Sequence, residues 1–302
     1  VIRSVAGTAD LADIEVIGTM ATRFQIQRRR SDEPAWVNDF PDSALAQLFG
    51  ALPEANVYAL VDNAFDTGFA QRLRSRFPGL HPQSLYEGRY DGPGLAEIAP
   101  SVVRIPVEES ERRTFLEFVL NETSGKPMLS FLHRIASALD PVAHLQDQME
   151  AVDHEGKAFL IRFADTRSLD ALLQVFDDAQ RERFLNGLRW WYFRRDGRLQ
   201  AVGHPDDASA DRTDEPYVFS REQMDRLDAL ARPDGLLRLI QTNVHWWGEL
   251  TGTPSQAHSC IRMALDSPEF NAGAHDAVVF RVVAGALSEA GLLQSQETTE
   301  QS

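Results

Sequence analysis

Cysteine is nearly missing from this chain: Cys260 stands alone in 302 residues. An intramolecular disulfide is therefore excluded, and the fold must rest on its own core, as is usual in a reducing compartment. His258-Ser-Cys260 offers too few ligands for a structural zinc site. The chain also has no run near the roughly 20 apolar residues that span a bilayer, and no apolar stretch near its N-terminus of the kind a secretory signal needs. The expectation is a cytoplasmic protein without membrane insertion. Positive charge is scarce too. With 30 Lys and Arg against 45 Asp and Glu, the formal net charge is −15, the reverse of the basic surface that holds a phosphate backbone, so nucleic acid is not an expected partner.

The usual catalytic signatures are absent. Ser124-Gly-Lys-Pro127 contains Gly-Lys but neither the upstream glycine nor the following hydroxyl residue of a phosphate loop. There is no Gly-x-Ser-x-Gly elbow, His-Glu-x-x-His helix or Gly-x-Gly-x-x-Gly turn. The best case for an enzyme uses position: Asp62, Glu87 and Asp165 each follow a predicted strand, where open sheets place ligand-contacting groups. Three such carboxylates could hold a divalent cation or act as general acid and base. Aspartate in that place more often caps the next helix, and capping is the reading preferred here. No catalytic residue, metal ligand or cofactor is assigned, and a carboxylate-dependent small-molecule hydrolase or transferase stands as the alternative. His133 and His144 are isolated and read as hydrogen-bonding residues.

What is present is a globular composition, 43% hydrophobic and 25% charged, long enough for one large domain or two modest ones. The pattern predicts a short helix over 44–52 stopped by Pro53. Val57-Tyr-Ala-Leu-Val61 follows as a strand buried on both faces. A helix over 65–77, strands over 84–88 and 101–105, a helix over 109–121 and a strand over 127–132 come next. Asp140-Pro141 is a helix start, with Val142, Leu145, Met149 and Val152 on one apolar face. Lys157 to Leu169 reads as a strand that ends in a polar turn and feeds a helix. Arg189 to Val202 reads as a hairpin around a two-residue Asp196-Gly197 turn. Ser220 with Gln223 forms a capping box, and the helix it opens should stop before Pro233. Further apolar stripes run Leu236 to Trp247 and Val279 to Ala290.

The fold class expected is therefore α/β (α+β): an N-terminal extension over 1–42, a mixed-sheet lobe with flanking helices over 43–204, an acidic linker over 205–216, a smaller all-helical lobe over 217–294 and a frayed tail over 295–302. The linker carries five acids and no large apolar side chain, so it cannot repay the entropy of ordering.

Val57-Tyr-Ala-Leu-Val-Asp62, Ser84-Leu-Tyr-Glu-Gly88, Ala99-Pro100 with Val102 and Val103, His144-Leu145, Phe159 to Leu169, Leu172-Leu173, and Gln180 with Phe184 and Gly187 occur in an ordered succession. That succession resembles the bacterial type VI secretion adaptor family, the domain of unknown function numbered 4123, over about residues 55 to 200. The chain departs from it at Met128-Leu129, Gln146 and Ala164-Asp165-Thr166, where the family often has Trp-Gly, an arginine and aromatic-Asp-Pro. The resemblance implies a cytoplasmic chaperone, not an enzyme and without a cofactor. Such a protein binds a cognate toxic effector through the effector's N-terminal segment, keeps it soluble and helps load it onto the spike-tip protein of the secretion apparatus. Candidate partner-binding residues are Tyr86, Glu87, Arg162, Asp165, Trp191 and Trp247, the aromatics chosen as exposed interface anchors by residue type.

Overall fold

The structure is a computed structural model that describes residues 41–135, 139–195, 197–203, 214–267 and 276–294. The expected N-terminal extension and tail lie outside these, apart from residues 41 and 42, as do most of the linker and Asp196 of the hairpin. The element order is α1 (Pro41–Ala51), β1 (Val57–Val61), a 3₁₀ turn (Asn63–Phe65), α2 (Phe69–Arg76), β2 (Gln83–Ser84), α3 (Leu95–Ile98), β3 (Ser101–Arg104), α4 (Glu109–Thr123) and β4 (Leu129–Arg134). There follow α5 (Pro141–Asp147), β5 (Glu150–Val152), β6 (Ala158–Leu160), α6 (Thr166–Val175), α7 (Asp178–Leu185), β7 (Leu188–Phe193) and β8 (Leu199–Gly203). The chain continues through β9 (Tyr217–Val218), α8 (Arg221–Thr242), α9 (Val244–Trp247), β10 (Glu249–Leu250), α10 (Pro254–Leu265), α11 (Asp276–Glu289) and β11 (Leu293–Gln294).

The fold is α/β, organised on a six-stranded sheet in the order β2-β3-β1-β4-β7-β8. Every pairing in this sheet is antiparallel. A smaller sheet, β6-β5-β9, is mixed, because β5 runs antiparallel to β6 and parallel to β9. Apolar side chains cover both faces of the large sheet. Leu60, Val102, Leu132, Trp190 and Tyr192 enter one core with α5, α6 and α7. Val57, Ala59, Val61, Val103, Phe131, Trp191 and Phe193 enter a second core with α1, α2 and α4. This is why β1 is apolar throughout: alternate side chains leave the strand on opposite faces and both faces are dry. It also corrects the expectation for Trp191. Adjacent positions on a strand face opposite ways, yet at Trp190 and Trp191 both sides are covered, and Trp191 is only 3% exposed.

Several local signals are realised as written. The Asp140 carboxylate accepts from the Val142 N–H with Pro141 in the first turn, and Ser220 and Gln223 close their reciprocal capping box. Others are not. α5 stops at Asp147, and Met149 and Ala151 are buried from the short strand segment after it rather than from a longer helix. The Arg194 N–H bonds the Arg198 carbonyl and the Gly197 N–H bonds the Arg194 carbonyl. The hairpin is therefore closed between Arg194 and Arg198 rather than across a two-residue turn, with Gly197 at φ 76; Asp196 lies outside the described residues. Pro233 sits inside α8 rather than ending it. Its ring removes the donor to the Ala229 carbonyl just where the helix changes surroundings. Met224 and Leu227 lie in the first core together with Tyr217 and Phe219, whereas Leu236, Leu237 and Ile240 lie in a third core with α10 and α11.

Candidate functional site

Two of the three strand-following carboxylates meet in space because one short segment anchors both. The Asp62 N–H extends the β1–β4 ladder by donating to the Met128 carbonyl, and one residue earlier the Pro127 carbonyl accepts from the Thr166 N–H. The ends of β1 and the start of α6, about a hundred residues apart in sequence, are thereby held side by side. Both carboxylates act as caps. Asp62 accepts from the Ala64 N–H at 3.1 Å, and Asp165 accepts from the Arg167 N–H at 3.0 Å. Aspartate at these positions satisfies amides that the adjoining turn or helix leaves open.

Both carboxylates are also ion-paired. Asp62, 2% exposed, accepts from the Arg162 guanidinium at 2.7 Å. Asp165 takes the Arg167 guanidinium at 3.1 and 2.8 Å, a two-point contact that suits the planar fork of arginine. The ring of Phe65 lies against both guanidiniums, at 5.8 Å from Arg162 and 5.4 Å from Arg167. From there the network reaches the C-terminal helices. Arg167 approaches Asp234 of α8 at 3.5 Å, Arg195 of the hairpin pairs with the same carboxylate, and His258 of α10 stands 3.6 Å from it. Three carboxylates thus alternate with three guanidiniums.

The electrostatics follow from burial against pairing. Burial pushes the Asp62 carboxyl above its ordinary range, Arg162 pulls it back, and the charge of Asp165 adds to the rise. For Asp165, burial also favours the neutral acid, but Arg167 and then Arg162 outweigh it and hold the carboxyl below its ordinary value. His258 is pushed down to about 4, first by burial and then by the charge of Arg195, with Asp234 opposing. The imidazole is therefore neutral at pH 7.

The arrangement as it stands is a cap-and-pair network. The oxygens that would ligate a cation face guanidiniums or amides, and among the described residues no group of three His, Cys, Asp or Glu side chains is placed to hold a metal. A ligand site at the strand ends also loses its topological basis. Ligand crevices of that kind belong to parallel sheets, whereas β3 and β4 run opposite to β1 and begin where it ends.

The remaining candidates are dispersed. Glu87 is exposed on the turn after β2, where its carbonyl accepts from the Gln146 amide at 3.1 Å, and it does not join the carboxylates. Tyr86 is half-buried, edge-on to Tyr90 at 5.4 Å, and its hydroxyl is pushed up by burial and by the charge of Asp62. Trp247 is tucked against Phe280 at 5.1 Å in the third core. Its neighbour Trp246 is the exposed indole, at 77%, because the helical turn of α9 points successive side chains about 100° apart. His144 is buried with its Nε2 3.1 Å from the Phe184 carbonyl, the structural role expected of it. Arg167, Arg195, Asp234 and His258 are members of the network that the sequence did not reveal. Asp165-Thr-Arg167 was the one local signal available, since an arginine two residues after a cap can fold back onto it.

The family model described as a domain of unknown function, DUF4123, matches residues 57–183. That stretch runs from β1 into α7 and includes Asp62, Arg162, Asp165 and Arg167. Comparison with curated proteins and with solved structures finds no match.

Proposed function

We propose that this protein is a type VI secretion adaptor: a cytoplasmic chaperone that binds a cognate toxic effector, stabilises it and helps load it onto the spike-tip protein, without catalysing a reaction or using a cofactor. The observation that carries this reading is the ordered set of motifs from Val57 to Gly187, most of it inside the stretch matched by the family model, whose own description assigns no activity. The chemistry of the site supports it. The carboxylates with the best positional claim to catalysis, Asp62 and Asp165, are occupied as caps and as partners of Arg162 and Arg167. In this reading Tyr86 and Glu87, which lie near or at the surface beside the network, contribute to the partner contact.

The test is co-expression with a cognate toxin and spike-tip protein, sought among the neighbouring genes. The toxin is expected to be soluble and spike-associated with the chain present, and to be lost to aggregation or degradation without it. A toxin that stays soluble and spike-bound in its absence refutes the proposal. The alternative, a carboxylate-dependent hydrolase or transferase, draws on the raised pKa of Asp62, since perturbed carboxylates cluster in active sites. It requires turnover of a small molecule that disappears in a folded Asp62→Asn protein.

A further inference from the structure

The outer edge of the six-stranded sheet is a feature that the adaptor reading does not use. β8 is the terminal strand, and among the described residues β7 is its only strand neighbour. The register pairs Phe193 with Leu199, Tyr192 with Gln200, Trp191 with Ala201 and Trp190 with Val202. Because the hydrogen-bonded closing pair is Arg194 with Arg198, the bonded pairs alternate from there. Gln200 and Val202 spend their backbone groups on β7, while those of Leu199 and Ala201 point away from the sheet. Among the described residues the Ala201 carbonyl meets its neighbour, the Gln200 side-chain amide, at 3.3 Å. Natural edges are blunted by lysine, proline or an inward charge. Leu199-Gln-Ala-Val-Gly203 has none of these.

Charge specifies what fits. On the face shared with Trp191, the edge strand presents Leu199, Ala201 and Gly203. Two of these are small, so β8 leaves an open path to Arg189, which pairs with Gly203 across the ladder. Arg189 is exposed and lies over the Trp191 ring at 5.1 Å. Among the described residues no carboxylate pairs with it. A second copy of the chain adding its own β8 antiparallel would bring the Arg194-Arg195 and Arg198 turn of one copy toward Arg189 of the other, setting like charges together. An acidic strand meets no such conflict.

We propose that the free edge of β8 receives an extended acidic segment of the partner protein by strand addition, bonding to the outward backbone of Leu199 and Ala201 and placing a carboxylate on Arg189. That the partner is an effector rests on the adaptor reading; the edge itself is tested without it. The probe is a fluorescein-labelled decapeptide of alternating valine and glutamate, compared with its glutamine and lysine counterparts, on the full chain by fluorescence polarisation. The glutamate peptide binds, the glutamine peptide binds more weakly and the lysine peptide least.

Ala201→Pro removes an N–H that faces away from β7, a change edge strands tolerate. It is expected to weaken the glutamate peptide about tenfold at unchanged circular dichroism. Arg189→Gln reduces the glutamate peptide to the level of the glutamine one. Ala201→Glu, which keeps the backbone N–H and sets a carboxylate beside Arg189, abolishes the preference for glutamate, and it keeps the proposal testable should the proline variant fail to fold. Absence of binding by the unmodified chain overturns the proposal, as does equal binding by folded Ala201→Pro, or a concentration-dependent dimer that Ala201→Pro dissolves. Effector capture that survives Ala201→Pro overturns the edge while leaving the adaptor reading in place.

Discussion

Replacing Asp62 separates a structural network from a catalytic one. In Asp62→Ala the guanidinium of Arg162 loses its 2.7 Å partner and the Ala64 N–H loses its cap. Removing one member of a buried pair costs about 3–5 kcal/mol, and losing an aspartate cap about 1 kcal/mol. Two facts pull the total down. The Arg162 side chain keeps 26% of its surface in water, and Asp165 remains close enough to compensate part of its charge. The expected loss is therefore about 3 kcal/mol, at the low end of the range for a broken buried pair. The Ala64 amide and Arg162 use different oxygens of Asp62, so Asp62→Asn keeps an acceptor for one of them and turns an NH2 donor toward the other. It also spares the cost that raises the Asp62 pKa, that of burying a carboxylate. Its loss should be about 2 kcal/mol, that of one hydrogen bond to a charged group, and smaller than that of Asp62→Ala. Urea denaturation followed by circular dichroism at pH 7 reads both, with equal m-values confirming that the unfolded states are comparable. The structural role is refuted if Asp62→Ala stays within about 0.5 kcal/mol of the parent, the range of an ordinary surface change. It is also refuted if Asp62→Asn costs as much as Asp62→Ala.

Two further outcomes concern other parts of the molecule. His258 has a folded-state pKa of about 4, below its ordinary value of 6.5, so between these the unfolded chain binds the extra proton and stability falls as the pH drops from 6.5 toward 4; His258→Gln should flatten that part of a stability profile measured by thermal melts, and an unchanged slope would count against the assignment. Gly203 has φ 126, and a Cβ there would stand 2.5 Å from the Leu188 carbonyl oxygen; Gly203→Ala should lower stability by about 1–3 kcal/mol through backbone strain, whereas Gly88→Ala, with open space around it, should cost less in the same melts.

Features that depend on neighbours in sequence are legible without the structure. The strand at 57–61, the Asp140-Pro141 helix start and the Ser220/Gln223 box are short-range matters of periodicity and capping, and the structure has them. The capping role preferred for Asp62 and Asp165 is legible for the same reason. The expectations that failed depended on long-range packing. Trp191 reads as an outward ring because a strand with one wet face is the common case, and nothing in Arg189-Trp-Trp-Tyr-Phe-Arg reveals that helices lie over both faces. Pro233 reads as a stop because a proline normally ends a helix, but apolar partners on both sides of it carry α8 through. The site is half legible. Glu87 groups with Asp62 and Asp165 only under a parallel-sheet geometry that an antiparallel sheet does not honour. Asp234 and His258 join the network from helices that no local pattern ties to Arg167.

The passage of α8 from one core into another decides where the chain can be divided. An acidic, apolar-poor stretch such as 205–216 invites a cut, but a fragment ending there would take Tyr217, Phe219, Met224 and Leu227 away from the sheet lobe and leave a wound lined by Phe176 and Phe159. The same long helix is a shared rafter: half of it roofs one room and half the next. Genetic dissection, or grafting of the C-terminal helices onto a relative, succeeds only with the seam placed beyond Leu230, close to the proline that already marks the change of room.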